Sequence, residues 1–338
     1  MTPPLNHAHP TPAPEVTRLA PSPTGALHLG NARTFLLNWA LARRHNWSIL
    51  LRIEDLDGPR IKPGAQEEIV DTLRWLGIDW DSGPIVQSHD LATYTAAMER
   101  LARRGLVYPC DLSRAEIEAA ASAPNEGDTH EARFPPELRP PLVPRSFDAP
   151  DSSWRFATPT GAVSFTDHFA GPQSFDPSAS VGDFVVWTKR AQPSYQLAVV
   201  VDDHRHAVTQ VVRGDDLLDS AARQLLLYRA LELPPLPGRA TVGPEWTHLP
   251  LVVGTDGRRL AKRHGDTRVS SYRALGVAPE RLIGLIAFWC GVRNAAGTPS
   301  PMTAAEFVAR FDPGTMPRSR VVFTEDDHRW LTQRPSPQ

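Results

Sequence analysis

Short apolar runs alternate with helix-like spacing of apolar residues along much of the chain. Residues 16–20 form one such run, which ends in a proline-rich turn and is followed by side chains spaced for one helix face, such as Phe35 and Trp39. Residues 48–53 form a second run, which ends in acidic residues. Strands that alternate with helices are typical of a parallel sheet. The pattern therefore predicts an α/β fold with a Rossmann-like core.

The same alternation continues after a less regular stretch. Apolar runs typical of strands occupy residues 181–187, 195–201 and 207–213, and residues 249–253 lead through a glycine-containing turn to a basic segment. Helical spacing occupies residues 65–76, 91–104, 216–231 and most of 270–311. Residues 109–150 are instead rich in Pro, Ala, Glu and Ser and have weak periodicity, which indicates an insertion with one helix near residues 114–121.

These changes in pattern divide the chain into five parts. Residues 1–14, rich in Pro, Ala and His, lack the features of a signal or transit peptide and are predicted to be a disordered tail. The other parts are the first half of the α/β domain at 15–108, the insertion at 109–180, the second half of that domain at 181–248, and a loop with a short helical C-terminal region at 249–338.

Composition and charge narrow the class of protein. The 338 residues include 36 Lys and Arg against 38 Asp and Glu, a formal charge of -2, so any nucleic acid must bind to a local basic patch. Cys110 and Cys290 are too few and too far apart for a disulfide framework, which suits a reducing cytoplasm. The longest apolar stretch, 282–292, is too short to span a membrane. We expect a cytoplasmic globular protein with no membrane segment.

The string PSPTGALHLGN at residues 21–31 lies between the first predicted strand and the first predicted helix. In an open α/β sheet, nucleotides bind at this position because helix N-terminal amides meet strand ends there. His28 can donate to phosphate oxygens, and Gly30 lets a nucleotide approach closely. Neither GxGxxG nor GxxxxGK[ST] occurs at this turn, which argues against a dinucleotide fold or a P-loop. The alternative interpretation is a simple strand-to-helix turn with a capping histidine, which the four letters of the motif alone would favour over a nucleotide site.

Four segments together resemble one protein family. Residues 21–31 resemble the HIGH motif of class I aminoacyl-tRNA synthetases, in the PSPTGxLHxG form of the glutamyl enzymes. Residues 52–57 (RIEDLD), 195–204 (YQLAVVVDDH) and 212–218 (VRGDDLL) resemble further segments of those enzymes, in the same order along the chain. The resemblance covers roughly residues 16–276 and implies a class I catalytic core with an insertion.

The resemblance implies ATP binding at two motifs. At the first motif the residues assigned to ATP are His28, Gly30 and Asn31, the last of which replaces a histidine of the family motif. The second motif, RLAKR at 259–263, resembles the KMSKS loop with alanine in place of its first serine. Adenylate formation is an in-line displacement at phosphorus, which needs positioning and positive charge rather than a protein nucleophile. Leu260 and Lys262 are assigned to ATP with accompanying Mg²⁺, and the catalytic candidates are His28 and Lys262.

The chemistry of glutamate selects three further charged residues. Free glutamate carries two carboxylates and one ammonium, so a selective pocket needs two fixed cations and one fixed anion. Arg18, Arg213 and Glu54 supply these charges, each at or near the C-terminal end of a predicted strand, where open sheets bind ligands. By resemblance to the glutamyl enzymes, the other residues assigned to glutamate are Leu19, Ala20, Pro21, Ser22 and Tyr195.

The length of the chain distinguishes groups within the family. Glutamyl-tRNA synthetases carry anticodon-binding domains after the KMSKS-like loop, for which residues 263–338 are too few. This resembles the glutamyl-Q tRNA(Asp) synthetases, which activate glutamate without tRNA and attach it to queuosine in the anticodon of tRNA(Asp). The implied partners are L-glutamate, ATP and queuosine-containing tRNA(Asp). Binding of the anticodon arm at the active-site mouth would need a local basic cluster, for which the candidates by sequence proximity are Arg258, Arg259, Arg263, Arg268 and Arg273.

Two alternatives remain open from the sequence. The chain can be a truncated glutamyl-tRNA synthetase that charges a tRNA 3′ end, or a catalytically inactive glutamate- or ATP-binding module. The oligomeric state is not predicted.

The insertion departs from the resembling enzymes at a metal site. Many glutamyl-Q enzymes hold zinc there through Cys-x-Cys and a later Tyr-x3-Cys, but this chain keeps only Cys110. The approximate counterparts of the other ligands are Leu112, Phe134 and Leu138, and one thiol cannot hold a structural zinc. Two nearby residues, His130 and Glu131, are alternative candidates for metal ligands, although polar residues in such a segment are more typically solvated. We expect a small hydrophobic cluster in place of zinc.

Overall fold

The computed structural model describes residues 14–120, 133–258, 260 and 266–333. The predicted disordered tail at 1–14 lies outside the described residues except for its last position. The predicted catalytic Lys262 also lies outside them. The same is true of Arg259, Arg263, His130 and Glu131.

Helices and strands alternate through the described chain. The strands are β1 Val16–Leu19, β2 Ser48–Ile53, β3 Ser82–Val86, β4 Val107–Pro109, β5 Trp154–Phe156, β6 Val163–Asp167, β7 Gly171–Phe175, β8 Val185–Thr188, β9 Gln192–Pro193, β10 Gln210–Gly214, β11 Glu245–Leu249, β12 Val252–Val253 and β13 Val321–Val322. The helices are α1 Leu29–His45, α2 Ala65–Trp75, α3 Ala92–Arg103, α4 Arg114–Ala120, α5 Pro177–Ser180, α6 Tyr195–Arg205, α7 Ser220–Ala230, α8 Val269–Ala274, α9 Pro279–Trp289, α10 Ala304–Arg310 and α11 Glu325–Thr332. None of these helices is long and apolar enough to cross a membrane.

A seven-stranded sheet in the order β3-β2-β1-β10-β11-β6-β7 forms the centre of the fold. All neighbouring pairs are parallel except the β6-β7 hairpin, so the predicted parallel sheet is confirmed. The strand order reverses between β1 and β10, which pair through Thr17 and Gln210. In open α/β sheets such a reversal leaves a crevice at the carboxyl ends of the strands, and ligands bind there. The topology therefore places the expected site between β1, β2 and β10.

Two apolar cores cover the two faces of this sheet. On one face, α1, α9 and α10 pack with Ile49 and Leu51. On the other face, α3, α6 and α7 pack with Leu50 and Val211. Because successive side chains of a strand point to opposite faces, β2 can contribute to both cores. Burial on both faces explains why this strand appears in the sequence as a continuous apolar run.

The prediction of a strand at residues 195–201 is wrong, because these residues begin α6. Every residue from Gln196 to Asp203 is buried, since α6 packs against the sheet, α3 and α7. A helix that is buried on nearly all sides has no polar stripe, and a short apolar run then looks the same as a buried strand. The correction affects the site, because Asp202 and Asp203 lie in the last turn of a helix.

Two other predicted strands differ from the structure at their boundaries. The run at 181–187 becomes a strand only from Val185. The run at 207–213 becomes a strand only from Gln210, because Ala207 has a positive φ of 53° and lies in a turn.

The predicted insertion at 109–180 contributes strands to two sheets. Within the described chain, β4, β5, β8 and β9 form a separate antiparallel sheet. The β6-β7 hairpin instead extends the main sheet, because Asp167 of β6 pairs with Trp246 of β11. One part of the insertion is therefore continuous with the sheet that holds the expected site.

A small apolar cluster lies where the family resemblance places a zinc site. Its buried members are Tyr108, Cys110, Ile117, Phe134 and Ala157, with Leu112 and Leu138 packed against them. Cys110 is a free thiol, and the side chains around it are not metal ligands, so these residues do not fit a zinc ion. Within the described part of the chain, no group of three or more His, Cys, Asp or Glu residues is placed to hold a metal.

We predict that this cluster stabilises the insertion without a metal. Phe134→Ala removes a fully buried ring and should lower the free energy of unfolding by about 3–5 kcal/mol, measured by urea denaturation. Val143→Ala, at a position that is 48% exposed, is the control and should change it by less than about 0.5 kcal/mol. EDTA should leave the unfolding midpoint of the unsubstituted protein unchanged. One zinc per chain in elemental analysis would contradict the prediction.

Candidate active site

A cavity of about 530 Å³ opens at the carboxyl ends of β1, β2 and β10, where the strand order reverses. Its walls also include the turn before α1 and the first residue of α6. The residues predicted from the sequence that line it are Arg18, Ala20, Pro21, Ser22, His28, Gly30, Asn31, Glu54, Tyr195 and Arg213. The fold therefore brings both predicted groups, for ATP and for glutamate, to one cavity.

Two predicted residues do not line this cavity. The side chains of Leu19 and Leu260 are buried in the apolar core that contains α1. Leu19 holds the end of β1 in place, and the backbone N–H of Leu260 donates to the carbonyl of Val252 at 3.5 Å. Leu260 therefore fixes one end of the segment that leads to Lys262.

His28 caps the N-terminus of α1. Its Nδ1 accepts hydrogen bonds from the backbone N–H groups of Gly30 at 3.1 Å and Asn31 at 3.3 Å. A ring nitrogen that accepts carries no proton, so the ring proton is on Nε2. The structure therefore shows that His28 has the capping role that the sequence analysis gave as an alternative. It is compatible with ligand binding, because the His28 side chain also lines the cavity.

The turn that carries His28 is held to the segment after the predicted adenylation loop. The backbone N–H of Leu29 donates to the carbonyl of Thr267 at 3.0 Å, and that of Val269 donates to the carbonyl of Leu27 at 2.8 Å. These two bonds place the start of α8 against the HIGH-like turn. Residues on both sides of the segment 261–265 therefore lie close to the cavity.

Gly30 leaves no room for a side chain. A Cβ at this position would lie 3.0 Å from both Cε1 and Nδ1 of His28 and 3.6 Å from Cβ of Val252. Contacts of 3.0 Å between a Cβ and a ring force one of the two groups to move. Glycine at this position therefore keeps the His28 ring in its capping orientation.

Arg18 and Arg52 lie side by side below the cavity, on neighbouring strands. Arg52, which the sequence did not single out for the site, is fully buried and donates to Asp203 at 2.6 Å and to Glu54 at 2.9 Å. Nε of Arg18 lies 3.5 Å from Oδ1 of the same Asp203. Asp203 therefore separates two buried guanidinium groups and balances part of their charge. An arginine inside an apolar strand, as at position 52, is the signal that could have revealed this network.

Arg18 has unused hydrogen-bonding capacity. It is 4% exposed, and its Nη1 donates to the carbonyl of Val212 at 3.3 Å, whereas Nε makes no hydrogen bond among the described residues and has only the ion-pair contact to Asp203. Burial lowers the pKa of Arg18, and the charge of Asp203 partly opposes that shift. A carboxylate ligand in the cavity would add negative charge beside this guanidinium.

Glu54, the residue directly after β2, places a carboxylate in the wall of the cavity. Burial raises the pKa of Glu54, while Arg52 and Arg18 act in the opposite direction. Its Oε1 accepts both bonds from Arg52. An ammonium group in the cavity would favour the charged form of this carboxylate further.

Arg213 is held by contacts on three sides. Its Nε donates to Nε2 of His248 at 2.9 Å, its Nη2 donates to the carbonyl of Leu217 at 3.2 Å, and its Nη1 lies 3.5 Å from the hydroxyl of Tyr195. A guanidinium group has five N–H donors, so two remain for a carboxylate. His248 was not predicted from the sequence, because a histidine in a buried strand is more often a core residue.

A second cavity of about 470 Å³ adjoins the first. The two share Ser22, Glu54, Asp57 and Tyr195 in their walls. The second is bounded on its other side by β8 and β9 of the small antiparallel sheet. A group in the second cavity would therefore have direct access to a ligand held by Glu54 and Tyr195.

The basic residues proposed for RNA contact are partly neutralised. Arg268 forms an ion pair with Asp266, and Arg273 forms one with Asp71. These pairs reduce the positive charge that α8 presents. Arg258 is exposed.

Comparison with known proteins identifies relatives of this chain. A family model described as class I tRNA synthetases (E and Q), catalytic domain, matches residues 15–327. The glutamyl-Q tRNA(Asp) synthetase of Symbiobacterium thermophilum is 46% identical over 317 residues, which cover 90% of this chain and 94% of that protein. The glutamate–tRNA ligase of Parasynechococcus marenigrum is 36% identical over 324 residues, which cover 93% of this chain and 66% of that protein.

A solved structure has a similar fold. The crystal structure of a glutamate tRNA ligase from Elizabethkingia meningosepticum, in complex with its amino acid, has a TM-score of 0.74 and 27% sequence identity. The match covers 94% of this chain and 69% of that chain. The similarity therefore includes the insertion as well as the core sheet.

We predict that Gly30→Ala weakens nucleotide binding. The added Cβ should displace the His28 ring, and a displacement of this kind should raise the Kd for ATP about 10-fold or more, measured by isothermal titration calorimetry. Gly58→Ala is the matched control, because a Cβ at Gly58 has no neighbour within 4 Å and should leave the Kd unchanged. Equal affinities in the two variants would show that Gly30 does not protect the His28 orientation.

Proposed function

This chain belongs to the class I tRNA synthetases (E and Q), and within them to the glutamyl-Q tRNA(Asp) synthetases, and on that premise we propose how its residues activate L-glutamate with ATP and transfer it to queuosine of tRNA(Asp). The family predicted from four sequence segments is thereby confirmed. The single observation that carries the residue assignments is that Arg18, Arg213 and Glu54 line one cavity beside the His28 turn.

Glutamate is recognised by matching its charges. Its two carboxylates bind to Arg18 and Arg213, whose side chains line the cavity, and its ammonium binds to Glu54. Ser22 and Tyr195 add hydrogen bonds from the rim, and the backbone at residues 19–21 supports the substrate. Because the cations are buried and anchored by other residues, they do not need to be ordered when glutamate arrives.

ATP binds at the turn before α1. His28 donates from Nε2 to a phosphate oxygen, while Gly30 and Asn31 form the wall that the nucleotide approaches. Leu260 anchors the segment that carries Lys262, and Lys262 stabilises the charge that develops on the phosphates. Mg²⁺ accompanies the nucleotide.

The reaction has two steps, the formation of glutamyl-adenylate and the transfer of the glutamyl group to queuosine. A carboxylate oxygen of glutamate attacks the α-phosphorus of ATP, the bond to the β-phosphate oxygen breaks, and pyrophosphate leaves. A hydroxyl oxygen of queuosine then attacks the acyl carbon, its proton passes to solvent, and AMP leaves. No protein nucleophile is required, so the residues act by positioning and by charge.

Comparison with two relatives favours queuosine over a tRNA 3′ end as the acceptor of glutamate. Identity is higher with the glutamyl-Q tRNA(Asp) synthetase, at 46%, than with the glutamate–tRNA ligase, at 36%. The alignment also covers more of the former protein, 94% against 66%. The intact charge set of the cavity disfavours an inactive binding module. Because the reaction uses tRNA, we assign it to the cytoplasm.

We predict that glutamate supports ATP–pyrophosphate exchange without tRNA, since the glutamate and ATP residues are already assembled in one cavity. Incorporation of labelled pyrophosphate into ATP should depend on L-glutamate and should not require tRNA. Lys262→Ala should lower the exchange rate about 100-fold or more while the KM for glutamate changes little, because its charge acts in the transition state. Strict dependence of exchange on tRNA would contradict this prediction.

We predict that the acceptor is the modified anticodon. Radiolabelled glutamate should appear on queuosine-containing tRNA(Asp) and not on the same tRNA that lacks queuosine. The label should remain after enzymatic removal of the 3′-terminal nucleotides. Labelling of tRNA(Glu) at its 3′ end, with none on tRNA(Asp), would refute the acceptor while leaving glutamate activation intact.

A further inference from the structure

We propose that His248, oriented by Asp167, positions Arg213 for the carboxylate of glutamate. This inference rests on the proposed function, because it assigns Arg213 to the substrate. It concerns two residues, His248 and Asp167, that do not line the cavity and that act only through Arg213.

The three residues lie on three adjacent strands. Arg213 of β10 and His248 of β11 are direct partners in the parallel pairing, and Asp167 ends β6 on the other side of β11. Nδ1 of His248 lies 2.7 Å from Oδ2 of Asp167, and Nε2 of His248 lies 2.9 Å from Nε of Arg213. The chain of hydrogen bonds therefore runs across the sheet, from the insertion to the cavity.

The donor and acceptor chemistry fixes the state of His248. Nε of an arginine can only donate, so Nε2 of His248 must accept and carries no proton. The ring proton of the neutral imidazole is then on Nδ1, where it donates to Asp167. Both other arrangements, an imidazolium or the Nε2–H tautomer, place two donors against each other at 2.9 Å.

Asp167 is itself held in one orientation. Its Oδ1 accepts from the backbone N–H groups of Phe169 at 2.9 Å and Ala170 at 2.7 Å, and its Oδ2 accepts from the backbone N–H of His248 at 3.0 Å. Burial raises the pKa of this carboxyl, but the bonds from His248 and Ala170 lower it more, so Asp167 remains charged. The charged carboxylate is therefore available as the acceptor for His248 Nδ1–H.

Burial makes the arrangement rigid. Asp167 and His248 are each 1% exposed and Arg213 is 5% exposed. Burial lowers the pKa of His248 and Arg213 adds to that shift, whereas Asp167 and the backbone carbonyl of Leu217 oppose it; the net shift is downward, so the neutral ring is favoured at pH 7. A neutral acceptor can hold Arg213 by its Nε edge without neutralising its charge. The full positive charge then remains for the substrate carboxylate.

Two substitutions of His248 test separately its contact with Asp167 and its contact with Arg213. The amide of asparagine reaches about as far as Nδ1 of histidine, and the amide of glutamine reaches about as far as Nε2. His248→Asn therefore keeps a donor to Asp167 and loses the acceptor for Arg213, whereas His248→Gln supplies an amide oxygen to Arg213. His328→Asn is the matched control, because His328 contacts Tyr272 and does not line the cavity.

The exchange reaction tests the proposal. His248→Asn should raise the KM for glutamate about 10-fold or more, which is the effect of losing a hydrogen bond to a charged group, with the KM for ATP unchanged. His248→Gln should recover most of the affinity, and His328→Asn should match the unsubstituted protein. In an Arg213→Ala background, His248→Asn should change the KM for glutamate less than about 2-fold. The same rise in both backgrounds would overturn the proposal.

A second measurement reads the protonation of His248 in the unsubstituted protein. Nitrogen-15 NMR of the histidine side chains, with His248 assigned by its absence in His248→Gln or by its bond to Asp167, should show the neutral Nδ1–H tautomer at pH 7. An imidazolium or an Nε2–H tautomer would overturn the proposal. If the unsubstituted protein shows no glutamate-dependent exchange, the proposed reaction fails. If exchange is normal and His248→Asn leaves the KM for glutamate unchanged, only the role of His248 fails.

Discussion

Two arginines on neighbouring strands share one aspartate, and the active site depends on that arrangement. Arg18 and Arg52 are buried on the same side of β1 and β2, where like charges without a counter-ion would be prohibitively costly. Asp203 lies within 2.6 Å of one and 3.5 Å of the other, and Glu54 accepts from Arg52. The charge balance is therefore made inside the sheet before any substrate is present.

This charge balance depends on residues 195–205 forming a helix. The last turn of α6 brings Asp202 and Asp203 to β2 together, and Asp202 also accepts from Gln87 and Tyr94. A strand at this position would direct two successive aspartates to opposite faces. The helix also places Tyr195, its first residue, at the rim of the cavity.

The sequence predicted the parts of the site that lie at strand ends. Arg18, Glu54 and Arg213 are each adjacent to the carboxyl end of a strand, and the topology of a parallel sheet brings such residues together. The helix α6 could not be predicted, because its complete burial removes the polar stripe that identifies a helix. Asp167 and His248 are 81 positions apart, and nothing local in either segment indicates their contact.

The position of β11 has a consequence for how the protein acquires its native state. Among the described residues, β11 is the last strand of the main sheet along the chain. It nevertheless lies between β10 and β6, and it is the strand that joins them. The two sides of the sheet therefore become continuous only after residues 245–249 have been synthesised and inserted. Pairing of this kind has a high contact order, which slows folding. A nascent chain that stops before β11 can contain most of the cavity lining and still lack the strand that aligns Arg213.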